Sequence, residues 1–248
     1  MKNLTRVRET TESYPSPVVF CDFDGTITQL DVTDQILDQL ADPDWREIER
    51  EWAMGLIGSR ECLERQISLV NAPTAKLHAL IDSIPIDPHF ADFSRFARRR
   101  GLPVYILSDG FDYVIRRILK RAGVGRQFRN GARLFASALR VEGQRLLPSF
   151  PHSTQACAHG CATCKLSIMR QLADGRRPVI FVGDGMSDRY AVESADVIFA
   201  KRQLLAHCRE HQIACHAFES FQDVQGKLDK LFAPAPARRY RQPVAALS

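Results

Sequence analysis

The stretch "VVFCDFDGTIT", Val18 to Thr28, decides the reading of this chain. Its first four residues are apolar and read as a short buried strand. Two aspartates follow, Asp22 and Asp24, with Gly25 and Thr26 directly behind. A strand that carries carboxylates out of an apolar run and then turns at glycine brings both acids to one place. An Asx-type turn ending a strand is the plain structural alternative.

Working outward, the order of elements sets the fold class. From Asp31 to about Ile84 the apolar spacing is helical, as in "DVTDQILDQL" and "SRECLERQISLV". Pro85 and Pro88 interrupt it. A helix "PHFADFSRFARRRG" then leads to a strand "PVYILS", and "FDYVIRRILKRAG" is helical again. "ARLFASALRVEGQRLL" reads as a hairpin turning near Glu142-Gly143. The helix "KLSIMRQLADG", the strand "PVIFVGD", a short helix and the strand "DVIFA" complete the series. Alternation of this kind predicts an α/β fold, a Rossmann-like parallel sheet flanked by helices, with a small helical cap inserted after the first strand. The expected division is a flexible arm at 1–16, a core at 17–30 and 87–232, a cap at 31–86 and a disordered tail at 233–248.

Composition bounds the function. The 248 residues are 45% hydrophobic and 25% charged, a balance that supports a globular core. No apolar run reaches the roughly 20 residues of a membrane span, and the first residues have no apolar centre of a secretory signal. The chain reads as soluble and cytoplasmic, without a membrane partner. The net charge of +5 is spread over short runs such as Arg98-Arg99-Arg100, and no nucleic-acid motif is present. The oligomeric state is open.

Ligands of open α/β sheets bind beyond the carboxyl ends of the strands. There the pattern gathers Asp22 and Asp24, Ser108, Lys165 at the start of a helix, and Asp184 with Asp188 in "GDGMSD". Clustered carboxylates repel unless a cation sits among them, and hard oxygen ligands suit Mg²⁺. A lysine and a hydroxyl beside such a site hold phosphate oxygens. An ionised aspartate there can act as a nucleophile.

"DFDGT", Ser108, Lys165 and "GDGMSD", in this order, resemble the four motifs of the haloacid-dehalogenase-like phosphatases. The helical insert matches the phosphoserine-phosphatase-like branch. The resemblance implies a Mg²⁺-dependent hydrolase acting on a small-molecule phosphate ester through an aspartyl-phosphate. Asp22 would be the nucleophile, and Asp24 the acid and base, holding the metal through its carbonyl. Asp22 and Asp184 would also be metal ligands, with Asp188 behind them supporting the metal water or Lys165. Thr26, Ser108, Asp109, Gly110 and Lys165 would bind the phosphate or position the groups around it. From the cap, Asp31 would stand nearest the leaving group, together with Arg65. Glu64 occupies the place where phosphoserine phosphatases carry an arginine, and "SDGFD" replaces their Ser-Gly-Gly. Both departures count against phosphoserine.

The segment "FPHSTQACAHGCATCK" resembles the enol-phosphate phosphatases of methionine salvage, as does "FAKRQLL". A related cysteine-rich stretch occurs in phosphoethanolamine and phosphocholine phosphatases; these, a phosphoserine phosphatase and a phosphotransferase are the alternatives, whereas the intact motifs count against a binding protein that has lost the activity. Seven cysteines, an odd number, with Cys21 in a core strand, read as reduced thiols. His152, Cys157, Cys161 and Cys164 give H-x4-C-x3-C-x2-C, a set compatible with structural Zn²⁺. Loop packing by free thiols is the other reading, and contact of His152 with substrate a third.

Overall fold

The computed structural model describes residues 17–129, 132–175 and 178–232. The expected arm and tail lie outside them. Seven strands form one sheet: β1 (Val18–Cys21), β2 (Val104–Phe111), β3 (Leu134–Glu142), β4 (Arg145–Ser149), β5 (Val179–Gly183), β6 (Val197–Ala200) and β7 (His216–Ala217). Their order is β4-β3-β2-β1-β5-β6-β7. All neighbours are parallel except β3 and β4, the expected hairpin. The strand that opened the reading is therefore the central one.

β1 is wholly buried because helices cover both sheet faces, and this is why it reads as an unbroken apolar run. Its side chains alternate between two cores. Val19 and Cys21 join Ile106, Ile180 and Val182 on one face. There they meet α5 (Phe90–Arg99), α6 (Asp112–Arg121) and α9 (Phe221–Leu231) through Phe90, Phe93, Ile118 and Phe221. The Phe90 and Phe221 rings meet edge to face at 4.9 Å. Val18 and Phe20 face the other way, with Leu107, Val179 and Phe181. They pack under α7 (Lys165–Ala173) and α8 (Arg202–Glu210) through Met169, Leu204 and Cys208.

Between β1 and α5 the chain forms α1 (Val32–Leu40), α2 (Trp45–Ala53), α3 (Ser59–Ser68) and α4 (Thr74–Ser83). The Asp31 carboxylate caps α1, accepting from the Asp34 amide at 3.0 Å. The two ends of this insert are stitched together: Gln29 N donates to Pro85 O and Asp87 N to Ile27 O, both at 2.9 Å. Ile36, Trp45, Ile67 and Ile81 of the insert belong to the same apolar cluster as Val19 and Phe90. The cap is thus seated on one face of the sheet through continuous packing.

The short helix expected after β5 is two 3-10 turns, Met186–Asp188 and Ala191–Ser194. The Asp188 carboxylate accepts from the amides of Asp184 and Gly185, and this holds a tight turn in place of a helix.

Candidate active site

The carboxyl ends of β1, β2 and β5 and the first residue of α7 converge. Lys165 Nζ lies 2.6 Å from Asp22 Oδ1 and 2.6 Å from Asp188 Oδ1, with all three side chains buried. Such charge-assisted bonds are short and strong, and they leave the ammonium little freedom. Burial opposes the Lys165 charge, but Asp188, Asp22 and Asp109 outweigh it and hold its pKa well above the usual lysine value. Burial first, then the charges of Asp188, Asp184 and Asp24, push Asp22 up against the opposing pull of Lys165.

Asp24 stands on the other side of the turn. Its Oδ2 accepts from the Ser108 hydroxyl at 2.9 Å and its Oδ1 from the Val32 amide at 3.2 Å. Burial, followed by the Asp31 charge, pushes its pKa up to about 8, so at neutral pH it carries a proton. Ser108 in turn accepts from the Gly110 amide at 2.9 Å. A Cβ on Gly110 would lie 2.4 Å from Asp24 Oδ2, so a larger residue there would displace that carboxylate. At Gly25, φ is +69° and a Cβ would lie 2.3 Å from Asp184 Oδ2. This answers the opening stretch: glycine lets the chain turn while leaving room for a carboxylate.

The Thr26 hydroxyl donates to Asp184 Oδ1 at 2.8 Å and so positions that residue. Asp109 accepts from the Thr163 amide at 2.9 Å and from the Ser59 hydroxyl, which links β2 to the cap and to the approach to Lys165. Asp22, Asp184 and Asp188 each present an oxygen within 4.8 Å of the others, all buried. The sequence pattern also missed Arg202, which donates to Asp184 Oδ2 at 3.2 Å and to the carbonyls of Gly25 and Gln29. Its place four residues into "FAKRQLL" did not mark it, because its partners, Asp184 and the carbonyls of Gly25 and Gln29, are brought to it only by folding.

Asp22, Asp24, Asp109 and Asp184 floor a cavity of 290 Å³ whose opposite wall is the cap: Asp31, Asp34, Glu49, Trp52 and Gln66. Asp31 and Asp34 open into the cavity yet are crowded by protein. Burial and neighbouring acids push both pKa values up, to about 7 for Asp34. Arg65, expected near the leaving group, is elsewhere. Its guanidinium is held by Glu51, at 2.9 Å through Nη2, and by Glu61, and it does not line the cavity. Two glutamates on its own and the neighbouring helix capture it first.

The zinc expectation is not supported. Among the described residues the Asp22–Asp184–Asp188 set alone brings three candidate ligand atoms together, so His152, Cys157, Cys161 and Cys164 do not close into a tetrahedral set. The His152 ring meets Phe135 edge to face at 5.2 Å, and its carbonyl accepts from the Cys164 amide.

Comparison with known proteins adds the lineage. The family model described as haloacid dehalogenase-like hydrolase matches residues 19–193. Similar proteins include a Bacillus cereus 2-hydroxy-3-keto-5-methylthiopentenyl-1-phosphate phosphatase, 30% identical over 86% of this chain and 96% of its own. A protein of the same name from Bacillus velezensis is 27% identical over 87% and 91%. Among solved structures, a phospho-aspartyl intermediate analogue of phosphoserine phosphatase superposes with a TM-score of 0.63 at 19% identity, covering 86% of this chain and 99% of that one. A hydrolase from Salmonella enterica reaches 0.66 at 19% identity over 86% and 71%.

Proposed function

Because this chain belongs to the haloacid dehalogenase-like hydrolases, we propose that it is a Mg²⁺-dependent phosphomonoesterase working through an aspartyl-phosphate on Asp22. One observation carries the reading: Lys165 bridges Asp22 and Asp188 at 2.6 Å, within a carboxylate cluster that floors a cavity. Three buried carboxylates offer hard oxygens within 4.8 Å, and their mutual repulsion calls for a cation. Asp22, Asp184 and the Asp24 carbonyl would hold Mg²⁺, with Asp188 behind Lys165. Bound there, the ion neutralises charge on phosphoryl oxygens.

The chain's own groups supply the steps. Asp22 attacks phosphorus as the bond to the leaving oxygen breaks. Asp24, protonated at neutral pH, gives its proton to that oxygen. The same carboxylate then takes a proton from the water that releases phosphate from Asp22. Lys165 holds Asp22 in line and balances the phosphoryl charge. The cap excludes bulk water.

The relatives' name makes the methionine-salvage enol phosphate the first substrate to try. The acidic cap wall with Trp52 supports a second reading, the phosphate ester of an amino alcohol such as phosphoethanolamine or phosphocholine. Phosphoserine is less well served, because Arg65 is committed to Glu51 and Glu61. The test is release of phosphate from a panel of these esters, with and without Mg²⁺, with added alcohols to reveal transfer in place of hydrolysis. Undiminished turnover in EDTA would sink the assignment of the carboxylate cluster.

A further inference from the structure

The loop between β4 and α7 carries three cysteines that the phosphate chemistry does not use. It acts as a clasp on the cap. Gly160 O accepts from Arg60 N at 3.1 Å, and Ala162 N donates to Ser59 Oγ at 2.9 Å. Both partners lie at the start of α3. The backbones approach so closely that a Cβ on Gly58 would stand 2.4 Å from Gly160 O. Further along, the loop is fixed to Asp109 through the Thr163 amide and then delivers Lys165. One short segment therefore ties the cap to the catalytic rim.

Cys161 and Cys164 each lie beside Cys157. The Cys157 sulfur accepts from the amides of Cys161 and His159 and from the thiols of Cys161 and Cys164. Partial burial opposes ionisation, but these four donors together hold the Cys157 thiol below its usual pKa. Cys157 and Cys161 are half-buried, whereas Cys164 is buried at the start of α7. A cavity of 370 Å³ opens beside all three, and the Thr163 hydroxyl at its edge is buried without a partner. A small polar oxidant has room to enter.

We propose that Cys157 is an oxidation site for hydroperoxides, that Cys161 resolves it to a disulfide, and that this disulfide releases the cap. The Cys157 thiolate attacks a peroxide oxygen. The O–O bond breaks, hydroxide leaves, and a sulfenic acid forms. The Cys161 sulfur then attacks the Cys157 sulfur. The S–O bond breaks, and the oxygen leaves as water with the Cys161 proton. Two thiols lose two electrons, and hydrogen peroxide becomes two waters. Cys161 is the partner because solvent reaches it and because Gly160 lies inside the ring that closes. An S–S bond of about 2.05 Å draws the two residues together and drags Gly160 and Ala162 off Arg60 and Ser59.

The experiment uses the full chain, fully reduced and then treated with hydrogen peroxide. Peptide mapping after alkylation should find Cys157 linked to Cys161. Hydrogen exchange at the Arg60 and Ala162 amides should quicken about tenfold, and dithiothreitol should reverse both changes. Cys164→Ser should behave as the native protein, and Cys157→Ser should form no link. A link to Cys164, a Cys157 that stays reduced while other thiols react, or a Cys157–Cys161 link with unchanged exchange would each overturn the proposal. The exchange readout does not depend on which ester the enzyme cleaves.

Discussion

The catalytic rim and the cap wall face each other across one cavity but are built on opposite terms. The rim draws its side chains from three strand ends and a helix start, and locks them. Asp22, Lys165 and Asp188 form one buried charge-assisted chain, and Thr26 fixes Asp184. On the cap, Asp31 bonds to an amide of its own helix and Glu49 to Gln66 on the neighbouring one. Among the described residues no salt bridge reaches Asp31, Asp34 or Glu49. A site locked against its own scaffold suits a step common to all substrates. A wall of acids left without cations suits a choice among leaving groups.

The hardest blow to that contrast comes from the rim. Asp22→Asn keeps the shape and removes the nucleophile, so kcat should fall by roughly four orders of magnitude or more with every ester. Asp24→Asn should cost about 10²- to 10⁴-fold through lost proton transfer. Circular dichroism should show both variants folded. A folded Asp22→Asn enzyme retaining a tenth of native kcat would remove the aspartyl-phosphate from the mechanism.

The cap should respond selectively. Asp31→Asn and Glu49→Gln should shift the ratio of kcat/KM between a cationic and a neutral ester by about tenfold, close to 1.4 kcal/mol. The Mg²⁺ requirement should stay as it was. Equal losses on both esters would mean that these acids only support α1 and α2. Arg65→Ala should leave the ratio unchanged and barely move the thermal unfolding midpoint, because its ion pairs are largely exposed.

The same contrast explains what the sequence revealed. The rim was legible because Asp22, Asp184 and Lys165 sit at a strand end or a helix start, where a local pattern marks the place. β1 is a four-residue apolar run ending at Asp22, and Lys165 is the first residue of α7. The haloacid-dehalogenase-like order of these groups carried the rest. Arg65 was misplaced because a helical position tells only which face a residue shares, and Glu51 on a different helix claimed it. Arg202 was invisible because it reaches back to Gly25 and Gln29, far away in sequence. The cysteine spacing allowed a metal set, but the loop folds around hydrogen bonds to Cys157 instead.

The smallest effect should appear in stability. Burial and mutual repulsion raise Asp22, Asp24 and Asp184 above their ordinary values, Asp24 to about 8. Below the ordinary carboxyl range these groups are protonated both folded and unfolded, and the cluster carries no charge penalty. As pH rises toward 8 the unfolded chain has already released protons that the folded chain retains. Metal-free protein must therefore lose stability over that interval. A divalent cation among the carboxylates relieves the repulsion, so it should help most where the repulsion is greatest. Thermal unfolding with and without Mg²⁺ should show a stabilisation of a few degrees, about 2–4 °C per kcal/mol for a chain of this size, larger at pH 8 than at pH 5. Asp184→Asn should reduce that increment, because it removes one of the three clustered oxygens. An increment equal at both pH values, or larger at pH 5, would separate the metal from these carboxylates and leave Lys165 and Arg202 as their counter-charges.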